Sequence, residues 1–290
     1  MTLQDAILAA LKSSVMLVMF ALGLRSRWQD TTYFVNHPGL LGRSLVAMDL
    51  VMPAFAILAI AVTALPNSVK IALAALSVSP VPPLMPGRAA KTGDTQDYAV
   101  GLLVAASVVA LVFVPLAVGL VGATFGVAMH VSFFTVALLM TMLILGPLAA
   151  GIVVRHFWPA LAQRIAGPLG IVALVLLVIC ALLVILKMWP EMMLLVGNGT
   201  LLVFAAFVLV GLAAGHLLGG PDPDNRSVLA IATSARHPGV AIAIAIASSP
   251  QKRPAIAAVL LYLLVSALTS FPYVFWRGRR AAAPASAGTK

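Results

Sequence analysis

The sequence predicts an all-α membrane protein of nine transmembrane helices, two of them interrupted near mid-membrane. Three observations predict it. Hydrophobic residues make up 62% of the 290-residue chain and charged residues 9%, with a mean hydropathy of +1.10; a soluble domain carries about a quarter of its residues charged. Several apolar runs reach the roughly 20 residues needed to cross about 30 Å of hydrocarbon. Two of those runs hold proline and glycine clusters that no regular helix accommodates. A β-barrel would instead show short strands of alternating polarity.

The spans fall at about 3–24, 41–64, 69–92, 97–119, 129–154, 166–188, 192–218, 226–249 and 254–276. The first, MTLQDAILAALKSSVMLVMFALGL, has no basic start and no small-x-small site after its apolar run. It is therefore expected to be retained as a span. A loop with His37-Pro38-Gly39 follows and reads as a turn and helix start. The second span carries Asp49 in SLVAMDLVMPAF.

The third span opens as SVKIALAALSVS and runs into PVPPLMPG. Pro80, Pro82, Pro83 and Pro86 each lack an N–H and clash with the preceding turn, so the backbone near 80–87 is expected to be unwound. The sixth span holds the single cysteine, Cys180, which reads as a small apolar residue with no disulfide or metal partner. In the seventh, Asn198 and Thr200 of VGNGTLLV are expected to hydrogen-bond between helices.

The eighth span contains TSARHPGVAI, and a break is expected near 234–239. Roughly ten residues precede it and about eleven follow, and at 1.5 Å per residue only the two halves together cross the bilayer. The alternation in VAIAIAIA is strand-like, but membrane placement overrides it and its alanines favour close helix packing. The ninth span ends FPYVFWRGRR, interfacial aromatics followed by a basic cluster. Residues 1–280 are thus one transmembrane domain, and 281–290, AAAPASAGTK, an expected disordered cytoplasmic tail.

The net charge of +10 does not point to nucleic acid, because the basic residues are scattered among loops. Alternate loops hold Lys and Arg unequally. One side has Arg25, Arg27, Arg43, Arg88, Lys91, Arg155, Arg164, Arg226, Arg277, Arg279, Arg280 and Lys290, against Lys12, Lys70, Lys187, Lys252 and Arg253 on the other, 12 to 5. The positive-inside bias then predicts a multi-pass protein of the cytoplasmic (inner) membrane with its N-terminus outside and its C-terminus cytoplasmic.

Both breaks share a Pro-Gly step, Pro86-Gly87 and Pro238-Gly239, and lie five spans apart. An odd offset makes the two helices antiparallel. Interrupted spans in corresponding positions of inverted halves point to the binding site of a secondary transporter.

These residues carry a resemblance. MLVMFALGL, MDLVMPAFA, the Pro/Gly-rich third span ending KTGD and the broken eighth span are similar to the bile acid:sodium symporter family. The resemblance implies two discontinuous helices crossing at mid-membrane within a core domain that moves against a panel domain. It also implies a nine-helix branch lacking the family's first helix. In that family the eighth-span pattern is approximately Glu-Thr-Gly-x-Gln-Asn and supplies oxygens to sodium. Here the same positions read Thr233, Ser234, Ala235, Arg236, His237 and Pro238, so the carboxylate is gone and a guanidinium stands beside its place. The third-span Ser-Asn pair falls near Leu84 and Met85, and Tyr98 and Leu102 stand about where hydroxyl ligands are usual.

The expected substrate site is the crossover, with Thr233, Ser234, Arg236 and His237 from the eighth span and Pro83, Met85 and Arg88 from the third. A charge at that depth faces the bundle interior and is paired or functional. Arg236 either anchors an anionic substrate through its two-point fork or serves a structural pair or loose carbonyls. Asp49 is placed to pair with Arg236, to exchange a proton, or to sit hydrated beside Arg43. His237 either joins a proton relay or hydrogen-bonds the broken backbone. No cofactor is implied. Thr233 and Ser234 are the remaining side-chain candidates for sodium, and a proton is the other candidate coupling ion. The expected partners are the lipid bilayer and a small organic anion.

The function these features favour is secondary active transport of a small or amphipathic organic anion by alternating access. An intramembrane enzyme is disfavoured, since the chain has no His-Glu-x-x-His and no serine-base motif. A membrane sensor without transport is the other alternative, and no signalling domain is evident in this sequence.

Overall fold

The computed structural model describes residues 3–82, 96–125, 132–249 and 251–282, and it is helical throughout, with no strand among those residues. The main helices are α1 (Leu3–Arg25), α2 (Pro38–Val62), α3 (Asn67–Val78), α4 (Gln96–Phe125), α5 (Phe133–Phe157), α6 (Pro159–Lys187), α7 (Thr200–Leu218), α8 (Pro223–Ser234), α9 (Pro238–Ser248) and α10 (Lys252–Ala282). Seven stretches among the described residues are long and apolar enough to cross a membrane, α8 and α9 counting as one interrupted stretch. Helix α3 has 12 residues, about 18 Å, too short to cross alone. The helical segment expected at 192 starts later. A short helix at Trp189–Met193 gives way to a turn in which Gly197, Asn198 and Gly199 all have positive φ, and α7 begins only at Thr200. Asn198 is therefore an exposed turn residue instead of an interhelical donor.

Two packing groups are evident. Helices α1, α5 and α6 lie together, with α1 against both others. Their closest approach is at Gly23 and Gly151, where a Cβ on either glycine would collide with the partner's backbone, Leu148 O in one case and Phe20 O in the other. The second group packs α2, α3, α4, α7, α8, α9 and α10 around one large apolar core. Two helices, α2 and α5, each contain a π turn, Val46–Val51 and Thr141–Leu145, and a proline follows both.

The interrupted helix sits at the centre of the second group. In its apolar window 72% of the residues are buried inside the protein, against 17% for α6, whose leucines and valines face outward. Non-helical backbone at membrane depth persists where it is buried in protein in this way or lines a water-filled cavity. Helix α8 reaches that position because α7 offers it a row of glycines. Added Cβ atoms on Gly211, Gly215 and Gly219 would stand 2.8, 2.5 and 2.5 Å from the Cα atoms of Ser234, Ala230 and Arg226. One glycine per helical turn thus lets the two backbones touch, the small-residue packing that membrane helices use in place of a hydrophobic driving force. The far end of α8 is stapled by Arg277 of α10, which is buried and donates to Ser227 Oγ at 2.5 Å and Pro223 O at 2.7 Å.

Candidate functional site: the crossover at Arg236

The break is three residues long. α8 ends at Ser234 and α9 starts at Pro238, while Ala235 (φ −94°, ψ 136°) and His237 (φ −72°, ψ 106°) are extended. Sequence alone places Pro238 and Gly239 within the break, but they open the second half-helix. Proline suits the first helical position, where its missing N–H has no intrahelical partner to lose. His237 caps the new helix, its Nδ1 accepting the Val240 N–H at 3.4 Å. That bond places the ring proton of a neutral imidazole on Nε2.

The backbone groups released by the break find partners on three elements. The Ala235 N–H donates to Ile231 O at 2.9 Å. The Ser234 carbonyl accepts from the Tyr262 hydroxyl of α10 at 2.5 Å. The His237 N–H donates at 2.9 Å to Pro80 O, just beyond the end of α3. The two irregular segments therefore touch through their main chains. Thr233 Oγ1 and Ser234 Oγ both donate back to their own helix, to Leu229 O at 2.8 Å and Ile231 O at 3.2 Å.

Arg236 closes this junction. The side chain is 2% exposed. Its Nη1 donates to Ser79 O at 3.0 Å and its Nη2 to Met48 O at 2.8 Å. Both acceptors are carbonyls made available by irregular backbone. Ser79 lies past the last residue of α3. Met48 lies in the π turn of α2, where pairing shifts to the residue five positions on. For Met48 that residue is Pro53, which has no N–H to give. One planar guanidinium thus joins α2, the end of α3 and the α8–α9 break. Unwound carbonyls converging on a positive charge are the arrangement by which broken transporter helices hold a coupling cation.

Asp49 follows Met48 on the same π turn and is half-buried. No salt bridge joins it to Arg236 among the described residues. The two charges are nonetheless near enough to interact through space. Of the other expected site residues, Thr233, Ser234, Arg236 and His237 are together and buried, whereas Pro83, Met85 and Arg88 lie outside the described residues. Tyr98 is buried and its hydroxyl pairs with Ser44 Oγ at 3.0 Å. Two buried nitrogens at the junction, Arg236 Nε and His237 Nε2, have no hydrogen-bond partner among the described residues.

Sequence reasoning offered loose carbonyls as one partner for Arg236 without naming them, and it missed Tyr262 and the glycine row. The row alone left a signal, the four-residue glycine spacing of GLAAGHLLGG. The hydroxyl and carbonyl partners come from distant helices and leave no local pattern.

Comparison with known families gives a match to the Sodium Bile acid symporter family over residues 14–192. The matched stretch runs from α1 to the short helix before α7, so the α8–α9 break lies beyond it. No match was found among curated proteins. A family match over more than half of the chain, with seven apolar membrane-length stretches among the described residues, places the protein among multi-pass membrane transporters, and it belongs to the sodium bile acid symporter family.

Proposed function

We propose that this protein is a secondary active transporter that moves a small or amphipathic organic anion by alternating access, with Arg236 standing in for the coupling cation. The observation that carries the proposal is the Arg236 fork on Ser79 O and Met48 O. A tethered positive charge at the crossover gives the irregular carbonyls the counter-charge that sodium would otherwise supply. In this reading the nine spans form two inverted halves, with residues 1–280 as one transporter domain in the inner membrane and the C-terminus and its 281–290 tail cytoplasmic. Helices α1, α5 and α6 form the panel, and the group around α8 and α9 forms the core.

The two donors without a partner among the described residues, Arg236 Nε and His237 Nε2, are what the junction offers an anionic group once core and panel separate. Orphaned buried donors cost about 1–3 kcal/mol each, so an acceptor there stabilises the loaded state. Asp49, half-buried and without a salt bridge among the described residues, is the candidate proton carrier.

Proteoliposomes given a labelled bile acid, a labelled 2-keto acid and a labelled alkyl sulfonate test this. At least one anion is expected to enter faster than into protein-free vesicles, and Asp49→Asn is expected to abolish the acceleration by an inward proton gradient. No uptake of any of the three would remove the transport assignment. Gradient-driven uptake unaltered in Asp49→Asn would remove Asp49 as the proton carrier.

A further inference from the structure

At one end of the bundle, away from the crossover, two hollows adjoin. The first, about 410 Å³, is lined by Arg25, Arg27, Arg155, Asp30, Asp97 and Tyr33 among others. The second, about 550 Å³, is lined by Trp28, Ile152, Val153 and Phe157, and it shares Arg27 and Arg155 with the first. A polar chamber therefore continues into an apolar one, with two arginines at the junction.

Two of the arginines are held in place by backbone carbonyls. Arg155 Nη1 donates to the carbonyls of Leu24 and Arg25 at the end of α1, and Arg25 Nη2 donates to Ala166 O at 3.3 Å. Positive charge is favourable at a helix C-terminus, which accounts for Arg25 and Arg155 being there. It does not account for Arg27, which lies beyond the helix and is exposed. Both acids of the hollow are accounted for. Asp30 is 6% exposed and accepts the Arg27 backbone N–H at 2.7 Å. Asp97 is exposed in the first turn of α4. No salt bridge links either acid to Arg25, Arg27 or Arg155 among the described residues. Asp30 lies within electrostatic reach of Arg27 and Arg155, so three guanidiniums against two carboxylates leave this space one net positive charge.

Depth is set by the neighbouring aromatics. Trp28 is 69% exposed and Trp158 58%, and tryptophans so exposed settle at headgroup level. Basic pockets between membrane helices at that level bind anionic headgroups.

We propose that the paired hollows bind an acidic phospholipid. Its phosphodiester would lie among Arg25, Arg27 and Arg155, and one acyl chain would run along Trp28, Val153 and Phe157. Because α1, α5 and the α1–α2 loop all contribute, a bound lipid would tie the α1–α5–α6 group to the loop that leads into α2. The proposal stands apart from the transport assignment.

The test uses the whole purified protein in nanodiscs of phosphatidylcholine with or without phosphatidylglycerol. Phosphatidylglycerol retained on the protein is read by native mass spectrometry, alongside the melting temperature. The wild type is expected to retain phosphatidylglycerol over phosphatidylcholine and to melt higher in its presence. Each arginine near the surface contributes enough that Arg27→Gln should lower retention about fivefold, and Arg27→Gln with Arg155→Gln about 25-fold. Arg155 also caps α1, so Arg27→Gln alone decides the matter if the double variant is unstable. Equal retention of the two lipids by the wild type, or undiminished retention by Arg27→Gln, overturns the proposal. So does stabilisation by inorganic phosphate in pure phosphatidylcholine equal to that by phosphatidylglycerol, which would mark a site for soluble anions.

Discussion

Arg236→Met is expected to destabilise the protein by about 2–4 kcal/mol and to abolish transport. The substitution keeps a long unbranched side chain but removes both donors of the fork. It leaves Ser79 O and Met48 O buried without their partners, and each orphaned acceptor costs about 1–3 kcal/mol. Relief from burying a guanidinium inside the protein offsets part of that cost, so the net lies below the simple sum. Arg236→Lys is expected to recover only part of the loss, because an ammonium is a point charge and cannot reproduce a planar fork aimed at two separate carbonyls. Melting curves of detergent-purified variants measure the first effect and proteoliposome uptake the second. A methionine variant that melts with the wild type would show that the fork does not hold the crossover together.

Gly215→Leu is expected to be at least as damaging, by about 3 kcal/mol or more. A Cβ at that position would stand 2.5 Å from both the Cα of Ala230 and the carbonyl oxygen of Leu229. Both are backbone atoms of α8, so no side-chain rotation relieves the clash. Overpacking usually costs about 1–3 kcal/mol, and here the whole half-helix must move off α7. Since α8 ends two residues before Arg236, that shift also misplaces the guanidinium. Gly119→Ala is the control. Nothing lies within 4 Å of a Cβ there, and removing a helix glycine should stabilise by about 0.5–1 kcal/mol. Loss of folded protein in Gly119→Ala, or its absence in Gly215→Leu, would contradict close α7–α8 packing.

Much of this architecture was legible in the sequence because the bilayer leaves few options. Apolar runs of about 20 residues set the spans, and the expected 41–64, 97–119 and 226–249 stretches correspond to Pro38–Val62, Gln96–Phe125 and Pro223–Ser248. The break in the eighth span was legible because Arg236 and Pro238 interrupt an otherwise apolar run. Its three-residue extent was not, since proline suits both a helix interior kink and a helix start. The start of α7 was misjudged because VGNGT reads as apolar and small, whereas its φ angles are those of a turn. For Arg236 the sequence leaves a substrate anion, an ion pair and loose carbonyls all open, and it does not name the carbonyls. Only the π turn of α2 and Pro53 expose the Met48 oxygen that Arg236 takes.

The central claim, that Arg236 occupies the place of the coupling cation, predicts that sodium has nothing left to bind at the crossover. Thermal melting of the purified wild type in sodium chloride and in choline chloride of equal concentration tests this without knowledge of the substrate. A ligand that binds only the folded state raises its stability by RT ln(1 + c/Kd), which grows with its free concentration c. The two curves are expected to coincide. A melting temperature that rises with sodium concentration and stays flat with choline would show an intact sodium site and contradict the account.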